Sequence, residues 1–289
     1  MIRCTILLFA GLLTMAVSTA RAAPPAAASH PPATPLEHLP ALKGDYFPLT
    51  DPGSGRVHHV YVRYPESYDA RSATRYPVVY VLDGDSLFPL LAPTHLFLHY
   101  DERLPEAIIV GIAYGGFDPA INKRHVDFTA PGSDPTAEQG GAPGYLAFLR
   151  AHLVPEVERR YAADPARRVL VGQSRAGYFV LWSALQDPDL FWGRIASNPS
   201  PGPAREALFV AARPHTRADL RVAVASGTRD TAERQRIARD WTTHWSIASM
   251  GAPWRVTLLT IQDGTHAATI GETYRRAMLW LFREDIPTS

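Results

Sequence analysis

Three short, almost wholly apolar runs restrict what this chain can fold into. They are Tyr76 to Leu82, Ala107 to Ala113 and Val169 to Val171. A strand with one wet face alternates apolar and polar residues. A strand that is apolar throughout is covered on both faces, as in a parallel sheet packed between helices. The first run ends at Asp83-Gly84-Asp85, the second near Gly115-Gly116 and the third at Gly172. Val57 to Tyr64 alternates and reads as a further strand. So do Ile195 to Ser197, Leu220 to Ala225 and Trp254 to Ile261. Helices are expected over Ala176 to Leu185, Asp230 to Ser249 and Ala267 to Phe282. Tyr145, Leu146, Phe148, Leu149, Leu153, Val154 and Val157 follow a 3–4 spacing, so a helix is expected there too, kinked or broken by Pro155. Phe117 to Gly144 is polar with several Gly and Pro, a long loop expected to cover or line a site. Strands alternating with helices predict an α/β fold with a mainly parallel sheet and helices on both faces.

The N-terminus has the plan of a signal peptide: Arg3, an apolar Ile6 to Val17, then Ala20-Arg21-Ala22 as a small-x-small cleavage site. An N-terminal membrane anchor is the alternative, although the apolar stretch is short for a span. Cleavage after residue 22 would leave an Ala/Pro-rich tether over 23–40 and a single domain over 41–289. The chain is therefore expected to be exported, periplasmic or secreted. Its one cysteine, Cys4, precedes the apolar stretch, so the mature chain would hold no disulfide, no catalytic thiol and no cysteine-ligated metal. Losing Arg3 and Arg21 takes the basic count from 29 to 27 against 28 acids. No basic tract suggests a nucleic-acid partner.

The third apolar run enters Gly172-Gln-Ser174-Arg-Ala-Gly177. Small residues two before and two after a serine fit a nucleophile elbow, a sharp strand-to-helix turn that lifts the hydroxyl clear of the sheet. A serine needs a base for its proton and a group to orient that base. Both are found, in the order Ser, Asp, His, just beyond later strands: Asp230 in Ser226-Gly-Thr-Arg-Asp230, and His266 in Gln262-Asp-Gly-Thr-His266. Carboxyl ends of strands are where such sheets place their sites. Ser174 is thus the candidate nucleophile, His266 the base and Asp230 the orienting acid. Asp230 could instead cap a helix, and Asp263 competes for its role, though three residues from His266 it more readily forms a turn. An oxyanion needs backbone N–H donors. One is expected from Arg175. The other is expected from the Asp83-Gly84-Asp85 loop, at Asp85 with Gly84 as alternative. The Arg175 side chain either faces the cleft and favours an anionic group or makes a surface salt bridge. His58 and His59 are neighbours on a strand and point to opposite faces, and no His-Glu-x-x-His run exists, so neither a metal nor a cofactor is expected.

These residues carry a resemblance to the putative-esterase family of α/β-hydrolases, the esterase D-like group. It runs from about Val57 to Phe282 through Tyr76-Pro-Val-Val-Tyr-Val-Leu-Asp-Gly84, Ile108-Ile-Val-Gly-Ile112, Arg124-His-Val-Asp-Phe-Thr-Ala-Pro131, Gly140-Gly-Ala-Pro-Gly-Tyr-Leu-Ala-Phe-Leu149, the elbow and the His266 segment. The chain is most similar to the periplasmic siderophore-esterase branch. The resemblance implies an α/β-hydrolase fold and a serine carboxylesterase with Ser174, Asp230 and His266 in the roles given above. It departs from that branch at the elbow, where His-Ser-Leu-Gly-Gly is usual and Gln173-Ser-Arg-Ala-Gly177 stands here. It departs again after the next strand, where Ser197-Asn-Pro-Ser-Pro-Gly202 replaces a Ser-Pro-Ser followed by tryptophans.

The expected function is an exported serine esterase acting on a small-molecule ester through an acyl-enzyme. A catecholate siderophore ester is the sharper form, with Arg124, His125 and Arg175 as candidate contacts to an anionic substrate. An acyltransferase using the same acyl-enzyme, and a non-catalytic binding protein on the same scaffold, are the alternatives.

Overall fold

The computed structural model describes residues 39–132, 139–200, 202, 204–247 and 251–287. The expected signal peptide and almost all of the tether lie outside them. So do part of the long polar stretch and the end of the helix expected to reach Ser249. One sheet organises the described residues. Its eight strands run in the order β1 (Gly44–Thr50), β2 (Val57–Arg63), β4 (Ile108–Ala113), β3 (Tyr76–Val81), β5 (Ala163–Gln173), β6 (Gly193–Ser197), β7 (Leu220–Gly227), β8 (Trp254–Ile261). The β1–β2 and β2–β4 pairs are antiparallel and every other pair is parallel.

The unbroken apolar runs are the covered strands. Along β3, Val78 and Tyr80 enter one core with Leu82 just beyond, while Val79 and Val81 enter the other. Helices α1 (Gly84–Glu102) and α7 (Ile270–Leu281) close the second face through Phe88, Leu91, Tyr274 and Met278. The first face is closed by α3 (Ala142–Phe148), α4 (Val154–Arg160), α5 (Arg175–Gln186) and α6 (Ala232–Trp245), through Tyr145, Val157, Phe179 and Trp241. Burying each such side chain stabilises the fold by about 1.5–3 kcal/mol. No helix among the described residues is long and apolar enough to cross a membrane.

Two departures from the sequence reading, and the interruption expected at Pro155, have physical causes. Strand β1 was not expected, because it contains Pro48 and buries only Phe47; it is an edge strand, where a missing N–H is tolerated. Helix α1 was hidden by Pro89 and Pro93 within it, so Asp83-Gly84-Asp85 is a helix start and not a free loop. The kink expected at Pro155 takes the form of a π-turn, Leu149–Leu153, between α3 and α4. The proline ring conflicts with the carbonyl four residues back, and the wider turn relieves this. The long polar stretch also contains a one-turn helix, α2 (Arg124–Asp127).

Candidate active site

Ser174 sits between β5 and α5 at φ 60°, ψ −117°, a conformation that only tight surroundings impose on a residue with a side chain. The end of β6 imposes it: Ser174 N–H donates to the Ser197 carbonyl at 2.9 Å, and Ser200 N–H donates to the Ser174 carbonyl at 3.0 Å. The small flanking residues are needed because a Cβ added to Gly172 would lie 2.5 Å from the Ala176 carbonyl oxygen and 3.0 Å from its Cβ.

The loops after β7 and β8 carry the other two side chains and are fastened to each other. Arg229 N–H donates to the Gly264 carbonyl at 2.9 Å, and Asp263 N–H donates to Thr228 Oγ1 at 2.8 Å. A Cβ on Gly227 would lie 2.3 Å from the Gly264 carbonyl oxygen, so the loops meet backbone to backbone. This brings His266 Nδ1 within 2.8 Å of Asp230 Oδ2 and His266 Nε2 within 2.9 Å of Ser174 Oγ. A carboxylate only accepts, so Nδ1 carries the proton and Nε2 is left to accept from the serine.

Asp230 is buried, and its second oxygen accepts from Thr231 N–H at 2.7 Å and from Arg234 at 3.2 Å. Burial alone would raise its pKa; the hydrogen bonds from His266, Thr231 and Arg234 outweigh burial and hold the carboxyl below the usual aspartate value. The cap of α6 is Thr231, whose side chain accepts from Arg234 N–H, so Asp230 is not the capping residue. Asp263 is exposed at φ 55°, its carboxylate bonded to Gln262.

Arg175 is the first residue of α5, where helix geometry leaves N–H groups without an intrahelical acceptor. Gly84 and Asp85 are the first two residues of α1 and lie in the same first turn. The Asp85 carboxylate accepts from Tyr114 and Gly115 N–H, both at 2.8 Å, which ties the start of α1 to the end of β4. Arg124 grips Asp83 with two bonds of 2.8 Å, so its charge is compensated. It lines a pocket of about 140 Å³ with Asp85, Phe117, Asn122 and Gln173. Among the described residues Arg175 makes no ion pair; it reaches the His125 carbonyl and Thr129 Oγ1 at 3.4 Å, and burial, then Arg124, lower its pKa. An adjoining pocket of about 350 Å³ runs from Asp85 and Phe117 to Tyr61 and Phe88. A roomier hollow of about 680 Å³, lined by Phe209, Asp240 and His244, contains none of Ser174, Asp230 and His266. No cluster able to hold a metal ion occurs among the described residues.

In the sequence, Gln173 and Asn198 stand out only as departures from the pattern of the branch this chain resembles. Both side-chain amides donate to the His266 carbonyl. Local sequence held no signal for this, since the contact joins ends of three separate segments.

Ferri-bacillibactin esterase BesA of Bacillus subtilis is 33% identical over 168 residues, which cover 53% of this chain and 56% of BesA. Apo-salmochelin esterase of Escherichia coli is 29% identical over 147 residues, 47% of this chain and 45% of that protein. The chain thus spans about half the length of each of these two relatives. An IroE-like serine hydrolase from Shewanella oneidensis superposes with a TM-score of 0.72 at 21% identity, over 85% of this chain and 82% of that one. The likeness, with the mostly parallel eight-stranded sheet, shows the α/β-hydrolase fold. The family described as Putative esterase matches residues 53–257, most of the chain, and the chain belongs to that family.

Proposed function

We propose that this protein is an exported serine esterase that hydrolyses a small-molecule carboxylic ester through an acyl-enzyme on Ser174. The observation that carries the reading is the unbroken relay Asp230–His266–Ser174, with bonds of 2.8 and 2.9 Å. Ser174 Oγ attacks the ester carbonyl while Nε2 of His266 takes its proton. Asp230, ionised and held by three donors, stabilises the imidazolium and fixes its tautomer. Negative charge on the former carbonyl oxygen is received by the N–H of Arg175 and that of Asp85, or of Gly84 beside it. Collapse expels the alcohol, which takes the proton from His266. Water then repeats the sequence in reverse, releasing the acid and freeing Ser174. The chemistry asks for no metal or cofactor.

An ester of the siderophore type is the substrate favoured by the names of the two curated relatives. Arg175, beside the nucleophile and without a carboxylate partner among the described residues, suits an anionic substrate. Wild type and Ser174→Ala are to be assayed on short-chain and long-chain aryl esters, a feruloyl ester and a ferric catecholate trilactone. Ser174→Ala is expected to lose all turnover above background on whichever ester wild type cleaves. Retention of wild-type turnover overturns the mechanism.

A further inference from the structure

We propose that Gln173 and Asn198 are positioning residues: together they hold the His266 main chain so that its imidazole spans Asp230 and Ser174. The inference rests on the reading of His266 as the base.

His266 lies in a turn, after β8 has ended at Ile261 and before α7 begins at Ile270. Among the described residues, no ladder or helical bond fixes its backbone. The His266 carbonyl instead receives two side-chain N–H donors, Nε2 of Gln173 and Nδ2 of Asn198, the second at 3.0 Å. Gln173 ends β5 and pairs in register with Ser197, so the two amides leave adjacent strand ends.

The orientation of Asn198 is determined by its other contacts. Its Oδ1 accepts from Gly227 N–H at 2.8 Å, which turns Nδ2 toward the His266 carbonyl; a flipped amide would set oxygen against oxygen. Its own N–H donates to the Ala225 carbonyl at 2.8 Å, and its φ of 41° is one that asparagine tolerates better than most residues. The side chain is fully buried. One amide therefore bridges the loop that carries Asp230 and the loop that carries His266. Gln173 reaches the same carbonyl from the strand that carries Ser174. The two amides meet on the His266 carbonyl, and the Asn198 oxygen ties in the end of the strand that leads to Asp230.

The test compares Gln173→Glu, Gln173→His, Asn198→Ala and the double variant Gln173→Glu/Asn198→Ala, using an aryl ester and stoichiometric labelling of Ser174 by diisopropyl fluorophosphate. Gln173→Glu keeps the shape and removes the donor; Gln173→His restores an N–H. A misplacement of about 1 Å can lower turnover about a hundredfold. Gln173→Glu is expected to lower kcat about tenfold to a hundredfold per labelled site, with KM changed less than about twofold. Gln173→His should recover most of the loss. The double variant should lose less than the product of the single losses, because both donors serve one acceptor. The downfield proton resonance that disappears in His266→Ala should shift or broaden in Gln173→Glu. A kcat per labelled site within about twofold of wild type, or a change confined to KM, overturns the proposal. Asn198→Ala also strips a partner from Gly227; if it does not fold, Gln173→Glu decides alone. Ser174→Ala in the same assay separates the two readings. If it is as active as wild type, the nucleophile is wrong; if it is inactive while Gln173→Glu is normal, only the positioning role fails.

Discussion

Replacing Asp230 by Asn tests the relay at the point where structure makes the sharpest demand. Asn has the same shape, so the buried site need not repack. Its oxygen must face Thr231 N–H and Arg234, which both donate to Oδ1 in the native site. Its NH2 then faces His266 Nδ1, now 2.8 Å from Oδ2. Two N–H groups cannot oppose each other, so Nδ1 must become an acceptor and the ring proton must move to Nε2. That nitrogen can no longer take the proton of Ser174, 2.9 Å away. Where the same tautomer inversion has been made in a serine protease the loss in kcat is about 10⁴, equivalent to about 5 kcal/mol of barrier. We expect a loss of about 10³–10⁴ in kcat for Asp230→Asn on an aryl ester, with KM little altered. Asp263→Asn should stay within about threefold of wild type, since among the described residues its carboxylate meets only Gln262.

The same substitution carries a stability signature. The Asp230 carboxyl is held below its usual value, so the folded state binds this proton less readily than the unfolded chain does. Its contribution is fully present above the ordinary aspartate pKa of about 3.9 and is lost as pH falls through the lower folded value. Denaturant titrations of Asp230→Asn should therefore lose part of the acid-side slope seen in wild type. A kcat for Asp230→Asn within about tenfold of wild type, or a large loss in Asp263→Asn instead, would refute the assignment of the acid.

Two further outcomes are expected. Ser174→Gly removes the side chain from a backbone at φ 60°, where strain of about 1–3 kcal/mol is typical, so it should abolish turnover and raise Tm by several degrees; a lowered Tm in thermal unfolding would show that the elbow is not strained. His58 is fully buried among Tyr114, Tyr145 and Phe148, and burial, then Arg56 and, less strongly, His59, against the opposing pull of Asp51, brings its pKa to about 4. It stays neutral in the fold while an unfolded histidine protonates near pH 6.5, so stability is full above about 6.5 and falls toward pH 4. His58→Phe should reduce that slope by about one proton, roughly 1.4 kcal/mol per pH unit, leaving the part due to His95, also lowered to about 4. An unchanged slope in urea titrations would refute it.

The covered strands were legible because burial on both faces leaves an unbroken apolar run, and β8 begins and ends where its sequence pattern does. Ser174, Asp230 and His266 were legible as candidates because each follows a strand that the sequence marks, and parallel strands deliver their ends to one side of the sheet. What could not be read follows from the same physics. Edge strand β1 buries one side chain, so it carries no pattern. Helix α1 holds two prolines, which composition counts against a helix although packing on β4 and α7 sustains it. The Asp83–Arg124 pair joins residues 41 positions apart, and no local spacing announces it.

The residues in which this chain departs from the siderophore-esterase branch it resembles in sequence are not scattered. Gln173, Ala176 and Asn198 all lie within the few ångströms that set where Ser174 and His266 stand. Ala176 leaves 3.0 Å to a Cβ placed on Gly172, so the elbow tolerates a methyl there only because position 172 has none. Gln173 and Asn198 meet on one carbonyl, so a change at either alters what the other must hold. Substitutions so coupled constrain one another. Exchanging Gln173 alone for the histidine usual in that branch keeps an N–H donor, and it tests whether the elbow and the segment after β6 work as one unit.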